Sequence, residues 1–555
     1  MTSSKTDAPL WVADSETDPF ELGVIPEPFI WGLYNGTTYY EFRETAEFVD
    51  FVTKRRMLLY AHNGGKFDWH FLSPWFEPDA ELLIINGRLA RFKIGRCEFR
   101  DSFNLMPVAL EQYQKKEFDY TKMHKNFRDQ HMDEISEYLE SDCVNLYNMV
   151  SGFERSYGRH ITQASAAMHF WKYRLSNKVP RSSAEFYDIF RPFYYGGRVQ
   201  CFQHGDFTTD AMSVDINSAY PYAMLAEHPY SLDYKVIEGE PKSDYKKWGP
   251  MFFTIECDSK GAFPYRGLNQ KLYFPDDGER RIYRITGWEL IAALETGTAD
   301  KIKFLEYYEF AEVQDFSEYV SYFWNLRQDF KKKGDKGGEF YCKIFLNALY
   351  GKFGMDIRRH KQYTLKPKSE MSNLISGMMD GQTLQDFKEW IILAEQQAIG
   401  KRRFYNLATA ASITGFVRSF LWRAINGATD VYYCDTDSIT AKGFGPEVQI
   451  GKELGQWGIE HEYDRVIVCG KKLYAFHIKG KSFNQKSSWK LASKGARLTY
   501  SDLIQIASGE AVQFNNIVPT FSMSKSEPTF VRRVIRGTAS DIRKVPRSVD
   551  PKYND

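Results

Sequence analysis

The sequence predicts a multidomain chain that mixes α/β and α+β units. Its 555 residues are 43% hydrophobic and 16% aromatic, a folded composition with room for several cores at about 100–200 residues per domain. In the first third, a strand-like segment ending in carboxylates and a predicted hairpin precede a helical stretch. Near residue 191 the texture changes to the Gly- and aromatic-rich run RPFYYGGRVQCF, and two strong helix candidates follow in the middle of the chain.

Taken in order, LWVADSET reads as a strand, RLARFKIGRCEFRDSF as a hairpin around Gly95, and residues 132–153 as a helix with acidic and apolar positions at helical spacing. SVDINSAYPYAM places Asp215 at a strand end, before a turn with Asn217, Ser218 and Pro221. In 316–333, Phe316, Tyr319, Val320, Phe323, Leu326 and Phe330 form an apolar stripe, with Arg327 and Lys331 on the exposed side. GDKGG then breaks the chain, and a second helix runs from about Glu339 to Tyr350, with Lys343, Asn347 and Tyr350 sharing one face. Residues 355–403 read as polar, irregular and insertion-like. VYYCDTDSITA is a strand, a tight turn and a returning strand. From Lys525 to Lys552 basic residues outnumber acidic ones.

Several classes are excluded. The formal net charge is +1, so a phosphate-bearing partner must be held by local basic patches. Seven cysteines stand singly, which argues for reduced thiols in a cytosol-like compartment and against a zinc site or disulfide framework. No apolar leader and no long apolar run is present, so neither a signal peptide nor a membrane helix is expected. There is no fixed-period repeat and no P-loop signature.

The acidic residues carry the chemistry. Asp14 and Glu16 alternate on a strand and face one way, although Asp-x-Glu is common and by itself reads as a solvated loop end. Asn63 and Asp68 follow, and then Tyr138 and Asp142, four apart on a helix. Asp14, Glu16, Asp68 and Asp142 can together hold two Mg²⁺ or Mn²⁺ ions about 3.5–4 Å apart for phosphodiester hydrolysis. Tyr138 orients the attacking water or simply packs in its helix. The second set is Asp215 with Asp435 and Asp437. Carboxylates at the tip of an apolar hairpin are costly unless a cation is present. Asp215 and Asp437 would bridge two further metals for nucleotidyl transfer, with Lys343 and Lys331 neutralising phosphates.

With these motifs in order, the chain resembles the family B DNA polymerases, in particular the protein-primed branch of linear-genome bacteriophages of the tectivirus type. The resemblance implies an RNase H-like 3′→5′ exonuclease domain joined to a right-hand polymerase of palm, fingers and thumb. Asp14 and Glu16, Asn63 and Asp68, and Tyr138 and Asp142 match its three exonuclease motifs. Ser102 with Phe103, and Lys116 with Tyr120, resemble further contacts to single-stranded DNA. Tyr194, Gly196 and Gly197 match the Tyr-x-Gly-Gly linker. Asp215 to Pro221 match motif A, with Tyr220 at the sugar-screening position. Lys343, Asn347 and Tyr350 match motif B and contact the nucleotide. Asp435 and Asp437 match motif C, and Lys472 and Tyr474 the Lys-x-Tyr motif at the primer terminus.

The resemblance also implies a division of the chain. The exonuclease domain spans 1–190, the linker and first palm segment 191–226, and a terminal-protein insertion 227–318. The fingers take 319–354, a strand-displacement insertion 355–403, the palm 404–495, and the thumb with its basic tail 496–555. Expected partners are primer-template and single-stranded DNA, dNTPs and a terminal protein as primer. The cofactor is Mg²⁺ or Mn²⁺, two ions per active site, in a monomer working in the bacterial host cytoplasm. A primer-dependent polymerase, a nuclease with a polymerase half that only binds DNA, and a structural DNA-binding protein stay as alternatives.

Overall fold

The computed structural model describes residues 8–107, 117–267, 270–396, 404–493 and 495–537. Lys116 and the tail beyond 537 lie outside them.

A ten-stranded sheet dominates the N-terminal half. Its order is Gln382–Phe387, Trp390–Gln396, Lys361–Pro367, Glu81–Ile85, Arg88–Ile94, Cys97–Asp101, Met57–Ala61, Leu10–Thr17, Pro28–Tyr34 and Tyr39–Phe42. The predicted strand at 10–17 and the hairpin about Gly95, whose φ is +53°, are both present. The helix Met132–Tyr157 packs on this sheet through Ile135, Leu139, Cys143 and Leu146.

Residues 397–403 lie outside the described residues, while 355–396 differ from expectation. Instead of an irregular stretch they supply three strands, and Lys361–Pro367 extends the N-terminal sheet by pairing Tyr363 with Leu82. Leu365, Phe387 and Ile392 are buried in the same core as Trp69 and Phe92. Strand alternation buries only every second residue, so the segment reads as polar although one face is core. The C-terminal segment joins this corner: Met523 enters that core, and the Phe521 ring lies 5.4 Å from Phe67.

A seven-stranded sheet forms the second centre, in the order Trp489–Ser493, Leu473–Ile478, Trp457–Gly470, Gly205–Ile216, Ser438–Gly443, Thr429–Asp435, Val199–Cys201. Helix Leu407–Gly427 is buried along almost its whole length. At Gly415 a Cβ would stand 2.2 Å from Thr286 Oγ1, so only glycine permits this approach. Thr286 caps helix Gly287–Thr296, which belongs to a smaller four-stranded unit of Tyr234–Glu238, Asp300–Phe310, Phe252–Asp258 and Arg281–Thr286.

The two central helices span Ser317–Lys332 and Lys336–Phe353. The break is narrower than GDKGG implies, because the second helix starts at Lys336 and contains both following glycines. Gly338 is required there: a Cβ would stand 2.5 Å from the Phe330 ring.

Candidate active sites

The first site lies where the strand Leu10–Thr17 meets the helix Met132–Tyr157. Carboxylate oxygens of Asp14, Glu16 and Asp142 all lie within 4.8 Å of one another, and Asp142 is buried. Hard oxygen donors this close suit Mg²⁺ or Mn²⁺. Asp68 stands outside this trio. Its buried carboxylate accepts a 2.6 Å hydrogen bond from Ser15, and burial pushes its pKa up to about 6. Tyr138 is also buried, its hydroxyl 3.0 Å from that of Tyr120. Burial, the Tyr120 contact and the charges of Asp142 and Glu16 all raise its pKa, so it acts as a neutral phenol.

Asn63, with φ +63°, accepts a 2.7 Å hydrogen bond from Arg88. Arg88 also pairs with buried Asp101 at 2.7 Å and lies 4.2 Å from the centre of the Phe103 ring. Arg88 and Asp101 thus tie Asn63 to Phe103, a role that sequence reading missed because a lone Arg in a hairpin usually reads as solvated. Ser102 is fully buried, with its hydroxyl engaged by Ala61 O and His62; it supports this surface from beneath.

The second site is built on the seven-stranded sheet. Asp215 pairs in register with Ser438, and the hairpin turn Thr436–Asp437 follows Asp435. Burial and the charge of Asp437 raise the Asp215 pKa to about 7. Burial and the charge of Asp435 raise that of Asp437 to about 6. Acids held this way repel each other, and a bound cation removes the conflict. Asp435 is engaged by Lys472 at 2.7 Å and by the Tyr433 hydroxyl at 3.3 Å, while Tyr474 packs 4.9 Å from the Tyr433 ring.

Other predicted residues surround this pair. The rings of Tyr220 and Tyr350 stack at 4.2 Å and 10°. Lys343 lies on the same helix as Tyr350 and lowers the Asp215 pKa by its charge. Asn347 is exposed and bonds Lys343 O, and Lys331 is exposed on the preceding helix. Arg327 pairs with Glu339 at 3.1 Å.

The linker runs straight into the edge strand Val199–Cys201, where Val199 pairs with Asp435. A Cβ on Gly197 would meet Thr436 Cγ2 at 2.7 Å, and one on Gly354 would meet the Tyr194 hydroxyl at 2.6 Å. Buried Arg418 donates to Tyr195 O at 2.7 Å and Gly196 O at 2.9 Å, and pairs with Glu289 at 2.8 Å. Arg418 also escaped sequence reading, since its partners come from segments far apart in the chain.

This arrangement has counterparts among known proteins. A family model described as DNA polymerase type B, organellar and viral, matches residues 109–398. The DNA-directed DNA polymerase of Enterobacteria phage PRD1 is 32% identical over 95% of this chain and 97% of its own length. The chain belongs to the type B DNA polymerases. Membership implies dependence on divalent metal. A probable DNA polymerase of Neurospora intermedia is 24% identical over 74% of this polymerase and 44% of its own chain. The solved Phi29 DNA polymerase complexed with primer-template DNA and incoming nucleotides superposes with a TM-score of 0.71 at 17% identity. That match covers 95% of the polymerase and the whole of the solved chain, so the two share a fold. Among the described residues no helix is long and apolar enough to cross a membrane.

Proposed function

We propose that the chain is a replicative, DNA-directed DNA polymerase with its own 3′→5′ proofreading exonuclease, starting synthesis from a hydroxyl of a terminal protein. One observation carries the reading: two separate carboxylate sites, Asp14/Glu16/Asp142 and Asp215/Asp437, are built around two different sheets of one chain, the first completed by a helix and the second by a hairpin turn. The PRD1 and Phi29 relatives, both named as DNA polymerases, support it.

Asp14, Glu16 and Asp142, joined by Asp68 on the motif match, would hold two Mg²⁺ or Mn²⁺ ions, and Asp215 and Asp437 two more. Bound divalent ions supply the charge neutralisation that phosphoryl transfer needs. Around them the chain's own groups orient the substrates. Tyr138 presents a neutral hydroxyl beside the first acids. Asn63 and Phe103, tied by Arg88, offer a polar and a stacking contact to a single-stranded 3′ end. Lys343, Lys331 and Asn347 face the triphosphate, and the Tyr220–Tyr350 stack leaves no space beside the sugar C2′. Lys472 and Tyr474 hold the primer terminus. Residues 227–318 would dock the terminal protein, and 355–403 would flank DNA to promote strand displacement.

Asp14→Ala with Glu16→Ala should abolish degradation of single-stranded 3′ ends while extension persists, and Asp437→Asn should do the reverse. Loss of both activities in both folded variants would defeat the two-site reading. Protein priming is tested by incubation with candidate terminal protein, Mg²⁺ and labelled dNTP. Reversing the charge of exposed Lys242, Lys246 and Lys247 should then reduce nucleotide transfer to protein more than extension of a DNA primer. Equal loss of both would reassign the segment to general DNA binding.

A further inference from the structure

Arg198 directly follows the Tyr-x-Gly-Gly linker and is 1% exposed. Its guanidinium is sandwiched between the rings of Phe274 and Trp422, 4.2 Å from each centroid. It donates to Gln200 Oε1 from Nε at 2.9 Å and to Gly261 O from Nη1 at 3.0 Å. Among the described residues these hydrogen-bond partners are neutral. Burial lowers its pKa to about 10, so it keeps its charge at neutral pH. The charge of Asp276 offsets only part of this cost of burial. A buried cation hydrogen-bonded to neutral groups is costly, and an apolar side chain would fill the slot between two rings more cheaply.

What the slot holds in place accounts for the cation. Arg198 O accepts a 2.7 Å hydrogen bond from Thr436 N, at the centre of the turn between Asp435 and Asp437. Thr436 has φ +62°, a left-handed conformation that a β-branched residue adopts only when its surroundings impose it. Those surroundings are the backbone of 197–201. Gly197 leaves the Thr436 side chain only the room that a missing Cβ provides, Arg198 O takes its N–H, and Val199 pairs with Asp435. The Arg198 side chain nails this wall to two other parts of the fold. Gly261 and Phe274 belong to the 227–318 segment, and Trp422 to the helix Leu407–Gly427.

We propose that Arg198 is a positioning residue for the polymerase metal site, pinning the wall that shapes the Asp435–Thr436–Asp437 turn to the 227–318 segment. It touches neither substrate nor metal. The inference rests on the reading of Asp215 and Asp437 as metal ligands. It makes the 227–318 segment part of that site's support, in addition to any docking role.

The test measures Mn²⁺ binding to the full-length chain by electron paramagnetic resonance, without turnover. An Asp14→Ala/Glu16→Ala background removes the exonuclease ligands. In that background Asp437→Asn must weaken Mn²⁺ binding; if it does not, the metal-site reading fails, whatever Arg198 does. Given that control, Arg198→Met should raise the Mn²⁺ dissociation constant about tenfold, the low end of losses seen when the support of a metal ligand is removed. Arg198→Lys, which keeps a cation between the rings, should fall between the two. Should Arg198→Met fail to fold, Gly261→Ala reaches the same anchor from the other side, since Gly261 has φ +86° and its Cβ would crowd Trp422 at 3.3 Å. A folded Arg198→Met, or failing that a folded Gly261→Ala, with wild-type Mn²⁺ affinity would overturn the proposal and leave Arg198 a packing residue only.

Discussion

Two adjacent glycines make opposite predictions. A methyl group added at Gly197 would stand 2.7 Å from Thr436 Cγ2 and 2.8 Å from Thr436 Oγ1. Carbon atoms in contact prefer about 3.5–4.0 Å, so linker and turn must separate by roughly 1 Å. Thr436 has little freedom to yield, because it already sits at φ +62° and is hydrogen-bonded through its N–H. Overpacking of this kind costs about 1–3 kcal/mol. A displacement of about 1 Å at reacting groups can lower a rate about 100-fold. Gly197→Ala should therefore slow single-turnover primer extension about 10- to 100-fold and lower the melting temperature by several degrees. Degradation of a single-stranded oligonucleotide should continue, because its carboxylates stand on the strand Leu10–Thr17 of the other sheet and on the helix Met132–Tyr157. At Gly196 an added Cβ meets nothing within 4 Å, and Gly196→Ala should change stability by no more than about 0.5 kcal/mol. Extension assays on the two variants, with melting curves, decide the matter. If Gly196→Ala were as slow as Gly197→Ala, contact with Thr436 would not be the reason for the glycine.

Three further outcomes follow. Tyr220→Val should raise ribonucleotide incorporation relative to deoxynucleotide, because the ring stacked on Tyr350 is lost; unchanged sugar selectivity in steady-state incorporation would remove this role. Asp215 at about 7 and Asp437 at about 6 keep protons that the unfolded chain releases near pH 3.9. Their stabilising contribution is complete below that pH and is lost as pH rises through 6 and 7. In EDTA the melting temperature should fall between pH 5 and 7.5, less so in Asp437→Asn, and a flat profile in both would contradict the raised pKa values. Deletion of residues 525–555 removes the whole basic stretch from Lys525 to Lys552. It should flatten the salt dependence of primer-template binding, since each phosphate neutralised contributes about 0.9 to the log–log slope; an identical slope would make the tail merely solvated.

Much of each site was legible because its residues are close in sequence or tied to a regular period. Asp14 and Glu16 share a strand face by alternation, and Lys343 and Tyr350 share a helix face. Asp435 and Asp437 bracket one turn. The strands within 355–396 escape the sequence pattern for the complementary reason. Their burial depends on a partner strand, Glu81–Ile85, almost three hundred residues earlier, and their own pattern shows only one apolar face.

Local pattern and motif order by themselves determined the mixed fold class, the two carboxylate sets and the polymerase resemblance. These depend on which side chains one short element can present together. The tertiary structure alone decided that Arg88 joins Asn63 to Phe103, that Arg418 and Arg198 hold the linker and its edge strand, and that Gly197 is confined by Thr436 while Gly196 is free. Each of those contacts joins segments distant along the chain. Their geometry is set by how sheets and helices pack, and a buried arginine has the same letter in the sequence as a solvated one.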